Sequence, residues 1–418
     1  MAVAKILGVL IAILLLAFAG MFAIRIIRGS NTGGINELIS HITAPTGPAS
    51  EEAQMYSSRN TLPDCSTGTL LTRSPADIGT FAEIIPLGNI STSNGNASHV
   101  VPTDHIYFQN TPSNTPTSNE VQAIKVNETI PVFAPGNVQI VEIDAKTYTD
   151  NASGDIAKDY SIYFSPCKQV VLYLHHITDI NPIISNALDS AAPNMKQCFN
   201  GNIDTFAIQT CNYFNMDLKL NAGDRIGLGA FDLGAYDYRQ QPATFIDADK
   251  ATTLWGACPL DYFADPVKTQ LYKMVKNTKT NALGLPDCGS YMQDVAGTIQ
   301  GNWYLPGTVN QNQGGAQNDH ELAIIHLNTN PNVGVISWGG GIGRPEQLHF
   351  DPTAVGNVNR EPSEVTDSQL YCYQSNSDSQ TNDHVIIQLT DSKTLKAEYG
   401  NGNCPVSPSF NNPTIYYR

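Results

Sequence analysis

Short apolar runs separated by turn-forming residues recur along this chain from Phe81 almost to its last residue. Residues 105–108 and Gly334–Trp338 are typical: each holds several β-branched or aromatic residues and is bounded by Gly, Asn, Asp or Pro. Runs of this length and composition predict strands rather than helices. With 33 glycines, 25 prolines and only 15% charged residues, the chain has the composition of loop-rich β structure. We therefore expect a mainly β fold built of antiparallel strands.

Eight cysteines predict where this fold is made. They are an even set and no two have C-x-x-C spacing, which argues against a zinc knuckle or a redox motif. Even sets of this kind form disulfides in oxidising compartments. The eight are Cys65, Cys167, Cys198, Cys211, Cys258, Cys288, Cys372 and Cys404.

The N-terminus carries nineteen uncharged residues, 6–24, between Lys5 and Arg25. As a helix they would be roughly 28 Å long, close to the thickness of a bilayer core. We interpret residues 1–28 as a transmembrane anchor, with a cleaved secretory signal ending near Ala19 as the alternative. Arg25 and Arg28 would place the following chain in the cytoplasm.

Four N-glycosylation sequons favour the opposite orientation, with the body of the protein outside the membrane. Their acceptors are Asn89, Asn96, Asn127 and Asn151. We give the sequons and the cysteines more weight than the positive charges, and expect a cell-surface location, or secretion if the segment is cleaved.

The composition shifts along the chain predict five segments. After the anchor, residues 29–75 form a polar linker, 76–265 a first β domain, 266–283 an amphipathic helix and linker, and 284–418 a second all-β domain. The formal net charge of −15 would repel nucleic acid phosphates, so we expect no nucleic acid partner.

Histidines and aspartates of the first domain suggest a metal site. His99 and His105 flank Asp104, and His175 and His176 end a predicted strand. Neutral imidazoles and a carboxylate can hold zinc, which activates water to attack an amide. A purely structural interpretation is a turn before the strand at Asp104 and a pair of rings that point to opposite faces of their strand.

The succession of motifs in residues 86–238 resembles the lysostaphin/LytM-type zinc metallopeptidases. Residues 131–138 (PVFAPGNV) are similar to that family's "pVyAPadGvV" hairpin. Residues 169–176 are similar to its strand ending in "YaHl", and residues 221–227 to its "G-q-x-I-G" turn. The resemblance implies a LytM-like antiparallel β domain in which His175 or His176 assists catalysis.

Two departures from the family pattern point to a degenerate site. The family's first ligands are spaced H-x-x-x-D, whereas His99 lies five residues before Asp104. Its last ligand lies in an H-x-H strand, but residues 231–238 (FDLGAYDY) hold no histidine, leaving Asp232 or Asp237 as substitute oxygen ligands.

We therefore expect a membrane-anchored extracytoplasmic protein that binds or organises a peptide, glycan or protein of the cell envelope without cutting it, and needs no cofactor. Two alternatives stay open. One is a zinc endopeptidase acting on envelope peptide crosslinks, with metal ligands among His99, Asp104, His105, Asp232 and Asp237. The other is a structural subunit of a membrane or surface assembly, joined through the N-terminal helix.

Overall fold

A computed structural model describes residues 56–418, apart from 67, 94–95, 110–129, 204–205, 309–317, 378 and 380–381. The predicted anchor and the sequon at Asn127 lie outside these residues. Within them, no helix is both long and apolar enough to span a bilayer.

The first part of the chain forms thirteen strands among the described residues. They are β1 (Glu83–Ile85), β2 (Ser91–Ser93), β3 (Asn96–His99), β4 (His105–Gln109), β5 (Ile130–Phe133), β6 (Val138–Asp150), β7 (Ile156–Cys167), β8 (Val170–Ile177), β9 (Lys196–Ile203), β10 (Phe206–Tyr213), β11 (Leu218–Leu220), β12 (Arg225–Gly229) and β13 (Phe231–Asp237). Helix α1 (Pro182–Asp189) follows β8, and helix α2 (Val267–Tyr272) follows β13.

Most of these strands make one antiparallel sheet, in the order β1-β4-β13-β8-β7-β6-β10-β9, with β11 added beside β6. Strand β7 shows the alternation that buries one face: Ile162 and Phe164 are fully buried, whereas Ser161 and Tyr163, which alternate with them, are only partly buried. β5 and β12 pair with each other. The residues resembling the family hairpin therefore lie beside those resembling its glycine turn.

The second part of the chain forms a curled antiparallel sheet in the order β17-β16-β15-β14-β21-β20-β19-β18. Its strands are β14 (Gly301–Tyr304), β15 (Glu321–His326), β16 (Gly334–Trp338), β17 (Glu346–Phe350), β18 (Tyr371–Gln374), β19 (Asp383–Asp391), β20 (Thr394–Asn401) and β21 (Thr414–Tyr417). Asn376 N donates to His349 O at 2.8 Å. This bond joins the chain after β18 to β17, so the sheet is nearly closed around a core that includes Trp303 and Trp338. The mainly β prediction is confirmed.

The described part of the segment predicted as a polar linker packs closely, and the helix predicted after the first domain is present. Residues 56–75 lie against the first sheet, with Leu71 fully buried and Tyr56 8% exposed. Leu271 of α2 is fully buried in the core of the first sheet. The helix is shorter than the amphipathic pattern over residues 265–276 predicts.

All eight cysteines form disulfides: Cys65–Cys167, Cys198–Cys211, Cys258–Cys288 and Cys372–Cys404. Strands β2 and β3 form a separate two-stranded sheet that contacts the second sheet. The β2–β3 hairpin bonds to β16 through the buried hydroxyls of Thr92 and Ser337, 2.5 Å apart, and His99 ends β3.

Candidate functional site

Neighbouring strands of the first sheet bring the predicted histidines and aspartates together. Asp232 of β13 lies opposite His175 of β8 and Tyr107 of β4. Gly234, two residues on, lies opposite His105. Because alternate side chains share a face of a strand, these residues point to the same side of the sheet. We call the resulting group the histidine–aspartate cluster, consisting of His99, Asp104, His105, Asp159, His175, His176 and Asp232.

A local backbone feature places both residues of the β8 pair in the cluster. His176 has φ of 59°, a left-handed conformation that interrupts the alternation of the strand. Its Nδ1 atom lies 3.2 Å from Asp159 Oδ2, and its Nε2 atom lies 3.5 Å from Asp232 Oδ2. The ring of His175 stacks on Tyr173, 4.5 Å between centroids. The expectation that the two rings face opposite sides therefore fails.

One oxygen of Asp104 bonds to two neighbours inside the cluster. The hydroxyl of Tyr173 donates to Asp104 Oδ1 at 2.8 Å, and His105 Nδ1 lies 3.0 Å from the same oxygen. The Tyr173 ring fits here because residue 234 is glycine: a Cβ atom at Gly234 would collide with it. Burial opposes ionisation of Asp104, but these hydrogen bonds and the charge of His105 outweigh it and lower its pKa.

Two histidines of the cluster favour the protonated form. Burial opposes a charge on His105, but the charge of Asp232 and the bond to Asp104 raise its pKa. For His176 burial is again outweighed, here by the hydrogen bond to Asp159 and the charge of Asp232, which raise its pKa to about 9. The side chain of His176 is 60% exposed, whereas that of Asp232 is 6% exposed.

The other two histidines favour the neutral form. Burial and the charges of His105 and His176 lower the pKa of His99 to about 4. Burial and the same charges lower that of His175 well below its usual value. Burial raises the pKa of Asp232, against the opposing charges of His105 and His176. The cluster thus combines neutral and cationic imidazoles around buried carboxyl groups.

Asp237 lies away from the cluster. It is on the opposite face of β13 from Asp232, because their positions differ by five, an odd number, and alternate residues of a strand share a face. Its oxygens accept bonds from Arg239 at 2.8 and 2.7 Å and from the Tyr262 hydroxyl at 2.8 Å. These residues line a polar pocket of about 430 Å³. Asp237 therefore cannot share a metal ion with Asp104 in this fold.

The glycosylation acceptors differ in accessibility. Asn151 is exposed in the turn between β6 and β7. Asn89 is only partly exposed, and its side chain bonds to that of Tyr107 beside the cluster. Asn96 begins β3. Of the described acceptors whose exposure is defined, Asn151 is the better glycan attachment point.

Sequence reasoning missed Tyr173 and Asp159. Tyr173 had a detectable signal, since it lies two residues before His175 on the same strand and must share its face. Asp159 had none, because its contact with His176 depends on the left-handed conformation of that histidine.

The described residues contain no group of three or more His, Cys, Asp or Glu side chains arranged to hold a metal ion. In the cluster, Asp104 contacts an imidazole and a phenol, and Asp232 lies 3.5 Å from two imidazoles. The donor set is of the right chemical type for zinc, but its carboxylates would have to give up these partners to bind it.

The fold and the four disulfides define a mainly antiparallel β protein of an oxidising or extracellular compartment. Comparisons of the chain with protein-family models, curated proteins and solved structures found no match. The resemblance to LytM-type peptidases therefore rests on the sequence motifs alone.

Proposed function

We propose that this protein is a non-catalytic recognition protein on the outer side of a membrane. In this proposal the histidine–aspartate cluster binds a peptide or glycan of the cell envelope, and residues 1–28 anchor the chain. In the same proposal the first β domain is a LytM-like domain in which an internal network of hydrogen bonds stands in place of the metal site.

The observation that carries the proposal is the state of Asp104. Asp104 Oδ1 accepts from Tyr173 and lies 3.0 Å from His105 Nδ1, so a metal bound through this oxygen would have to displace one of these partners. Buried carboxylates with two such donors are stable without a metal. If this oxygen of Asp104 bound a metal instead, the buried Tyr173 hydroxyl would lose its acceptor, which costs free energy.

The cluster suits recognition of polar groups. His176 presents an exposed cationic ring, and Tyr107 and His99 at the other end are partly exposed. Such a surface offers donors and acceptors to amide, hydroxyl and carboxylate groups, which are the functional groups of envelope peptides and glycans.

Metal content tests the non-catalytic part of the proposal. We expect elemental mass spectrometry of the purified full chain, never exposed to chelator, to find no stoichiometric metal. Stoichiometric zinc that disappears in Asp104→Ala would contradict the proposal and establish a metal centre.

Ligand binding tests the recognition part. Envelope glycan fragments and crosslink peptides would be screened against wild type, Asp232→Asn and His176→Gln. We expect affinity to fall about tenfold or more in both variants, because a charge-assisted hydrogen bond contributes about 1.5–3 kcal/mol. Asp179→Asn and His320→Gln, which change an exposed acid and a histidine outside the cluster, are matched controls. Equal losses in the controls would show that the cluster is not the binding site.

One observation favours the zinc endopeptidase as a second candidate. Burial lowers the pKa of His99, one of the metal ligands of this candidate, and neutral imidazole is the form that binds metals. If zinc were held there, its chemistry would be activation of water, and His176 could donate a proton to the leaving amine. Peptide cleavage that needs zinc would support this candidate over simple recognition.

A further inference from the structure

A short segment before the first disulfide covers part of the sheet face that carries the cluster. We call residues 56–62 the strap; they comprise Tyr56, the 3-10 turn Ser57–Thr61 and Leu62. Tyr56 stacks on Tyr163 at 4.9 Å and lies 6.4 Å from Tyr236, between ring centroids. The guanidinium carbon of Arg59 lies 4.3 Å from the centroid of Tyr238. The strap thus places one aromatic ring and one cation on a platform formed by Tyr163, Tyr236 and Tyr238.

The tyrosine platform is continuous with the histidine–aspartate cluster. The Tyr163 ring lies 5.6 Å from Tyr173 and 6.1 Å from His175, between centroids. Tyr173 is the residue that bonds to Asp104. The platform and the cluster therefore form one strip across β6, β7, β8 and β13, and the strap occupies one end of it.

The strap leaves buried polar groups of the strip unused. Gln139 Nε2 donates to Ser58 O at a long distance, 3.4 Å, and Ser58 Oγ donates to Val141 O at 3.5 Å. Gln139 Oε1 and Ser165 Oγ have no hydrogen-bond partner among the described residues. Gln139 is 2% exposed and Ser165 0%, and buried polar groups are normally satisfied. These unpaired groups of Gln139 and Ser165 could hydrogen-bond to a ligand that makes more polar contacts with this surface than the strap does.

The chain that follows the strap is held in place by contacts of its own. Beyond Leu62 the chain is fixed: Lys168 N donates to Pro63 O at 2.9 Å, Cys65 N donates to Gln169 Oε1 at 2.8 Å, and Cys65 is joined to Cys167. The strap itself contains no cysteine, and among its side-chain bonds is that of Ser57 Oγ to Asn215 Oδ1, at 2.6 Å. Pro63 is therefore the boundary between the strap and the chain held by the first disulfide.

We propose that the strap is an internal occupant of the recognition strip, and that the ligand is a peptide presenting an aromatic side chain and, three residues later, a cationic one. This inference rests on the proposed recognition function and names its ligand class. The strap itself displays the chemistry that the platform accepts: a ring against Tyr163 and Tyr236, and a guanidinium over Tyr238. A ligand of this class displaces the strap and extends toward His175.

Binding of a strap peptide in trans tests the proposal. The probe is the acetylated and amidated heptapeptide YSSRNTL, with a scrambled peptide of the same composition as control. We expect the full-length double variant Tyr56→Ala/Arg59→Ala to bind it about tenfold or more tightly than wild type. The reason is that a tethered occupant competes at an effective concentration of about millimolar. The double variant Tyr417→Ala/Arg225→Ala, which removes an exposed ring and an exposed cation elsewhere, should match wild type. Equal affinity of all three proteins, or equal binding of the scrambled peptide, would overturn the proposal.

Hydrogen exchange on the unmutated protein gives a second test that does not depend on the folding of a variant. Leu62 N donates to Arg59 O at 2.9 Å, and Arg59 N donates to Tyr56 O at 3.1 Å. We expect these two amides to exchange faster when the isotope-labelled full chain is saturated with the peptide. Unchanged exchange at peptide concentrations that saturate the strap-released variant would contradict displacement.

The two proposals fail separately. One outcome is that an envelope component binds wild type but not Asp232→Asn, while the strap peptide binds wild type and both double variants equally. The recognition function then stands, and the strap proposal is wrong. If the strap peptide binds the released variant but no envelope component responds to Asp232→Asn, the platform is a peptide site and the cluster is not part of it.

Discussion

At the scale of single residues, the candidate site is a balance between buried acids and imidazoles. Asp104 bonds to Tyr173 and His105, and Asp159 bonds to His176. Asp232 lies 3.5 Å from a ring nitrogen of each of these two histidines. Because Gly234 of β13 has no side chain, the large ring of Tyr173 on the neighbouring strand β8 can fill the space beside Asp104.

Tyr173→Phe tests the contribution of the hydroxyl that donates to Asp104. The change removes only the hydroxyl, which leaves the buried Asp104 with one partner fewer. We expect a loss of about 1–3 kcal/mol in the free energy of unfolding, because a buried acceptor loses its donor. Urea denaturation measures it. Tyr399→Phe, whose hydroxyl bonds to Asn401 at the surface, should cost much less; equal losses would show that Asp104 does not depend on Tyr173.

The opposite shifts of two histidines predict how stability depends on pH. The pKa of His176 is raised from 6.5 to about 9 in the folded protein. Its contribution is therefore fully present below pH 6.5 and is lost as the pH rises through about 9. The pKa of His99 is lowered from 6.5 to about 4, so its contribution is present above pH 6.5 and is lost as the pH falls toward 4.

Urea midpoints measured at a series of pH values check these signs. We expect His176→Gln to flatten the alkaline loss and His99→Gln to flatten the acidic loss. In wild type, NMR titration of the His176 ring should give a midpoint near 9. Asp159→Asn should lower that midpoint, since Asp159 and Asp232 raise it while Lys146 opposes them. A His176 midpoint near 6.5 in both proteins would contradict the ion pairs.

At the scale of elements, most strands follow from local pattern, whereas their partners do not. The alternation in residues 160–164 predicts a strand, and β7 contains them. Nothing local predicts that β13 lies between β4 and β8, yet that order creates the cluster. Helix α2 gives a second example. Its apolar pattern predicts an amphipathic helix, but the pattern alone does not tell whether the helix packs in a core or lies in a linker.

Leu271→Ala tests whether α2 belongs to the first core. Leu271 is fully buried, and replacing a buried leucine by alanine typically costs about 2–5 kcal/mol. Leu283→Ala is the matched control, because Leu283 is 70% exposed in the segment after the helix and should change stability little. Thermal and urea unfolding measure both variants. Similar small effects would mean that α2 is a peripheral linker.

At the scale of the whole molecule, two sheets with separate cores are stabilised by four disulfides and joined by the β2–β3 hairpin. The disulfides differ in the length of chain they close. Cys65–Cys167 spans 102 residues, and Cys198–Cys211 spans 13.

This difference predicts unequal losses when each bond is removed by serine substitution of both cysteines. In the chain-entropy description a loop of 100 residues gives about 4.7 kcal/mol and one of 15 residues about 3 kcal/mol. We therefore expect the Cys65/Cys167 variant to be the less stable of the two in urea, with the Cys198/Cys211 variant as its control. The reverse order would show that native-state packing, rather than loop length, governs their contributions.

The sequence by itself determined the class of structure and the environment in which the protein folds. Alternating apolar runs specify strands because side chains point to opposite faces at every step, and an even set of cysteines without C-x-x-C spacing specifies disulfides. It also singled out His99, Asp104, His105, His175, His176 and Asp232, which the fold brings together. Only the tertiary structure decided that Asp237 faces away, that His176 turns toward Asp159, and that Tyr173 bonds to Asp104. The physical reason is that strand order, register and a single left-handed residue are set by packing over the whole sheet, and no short stretch of sequence contains them.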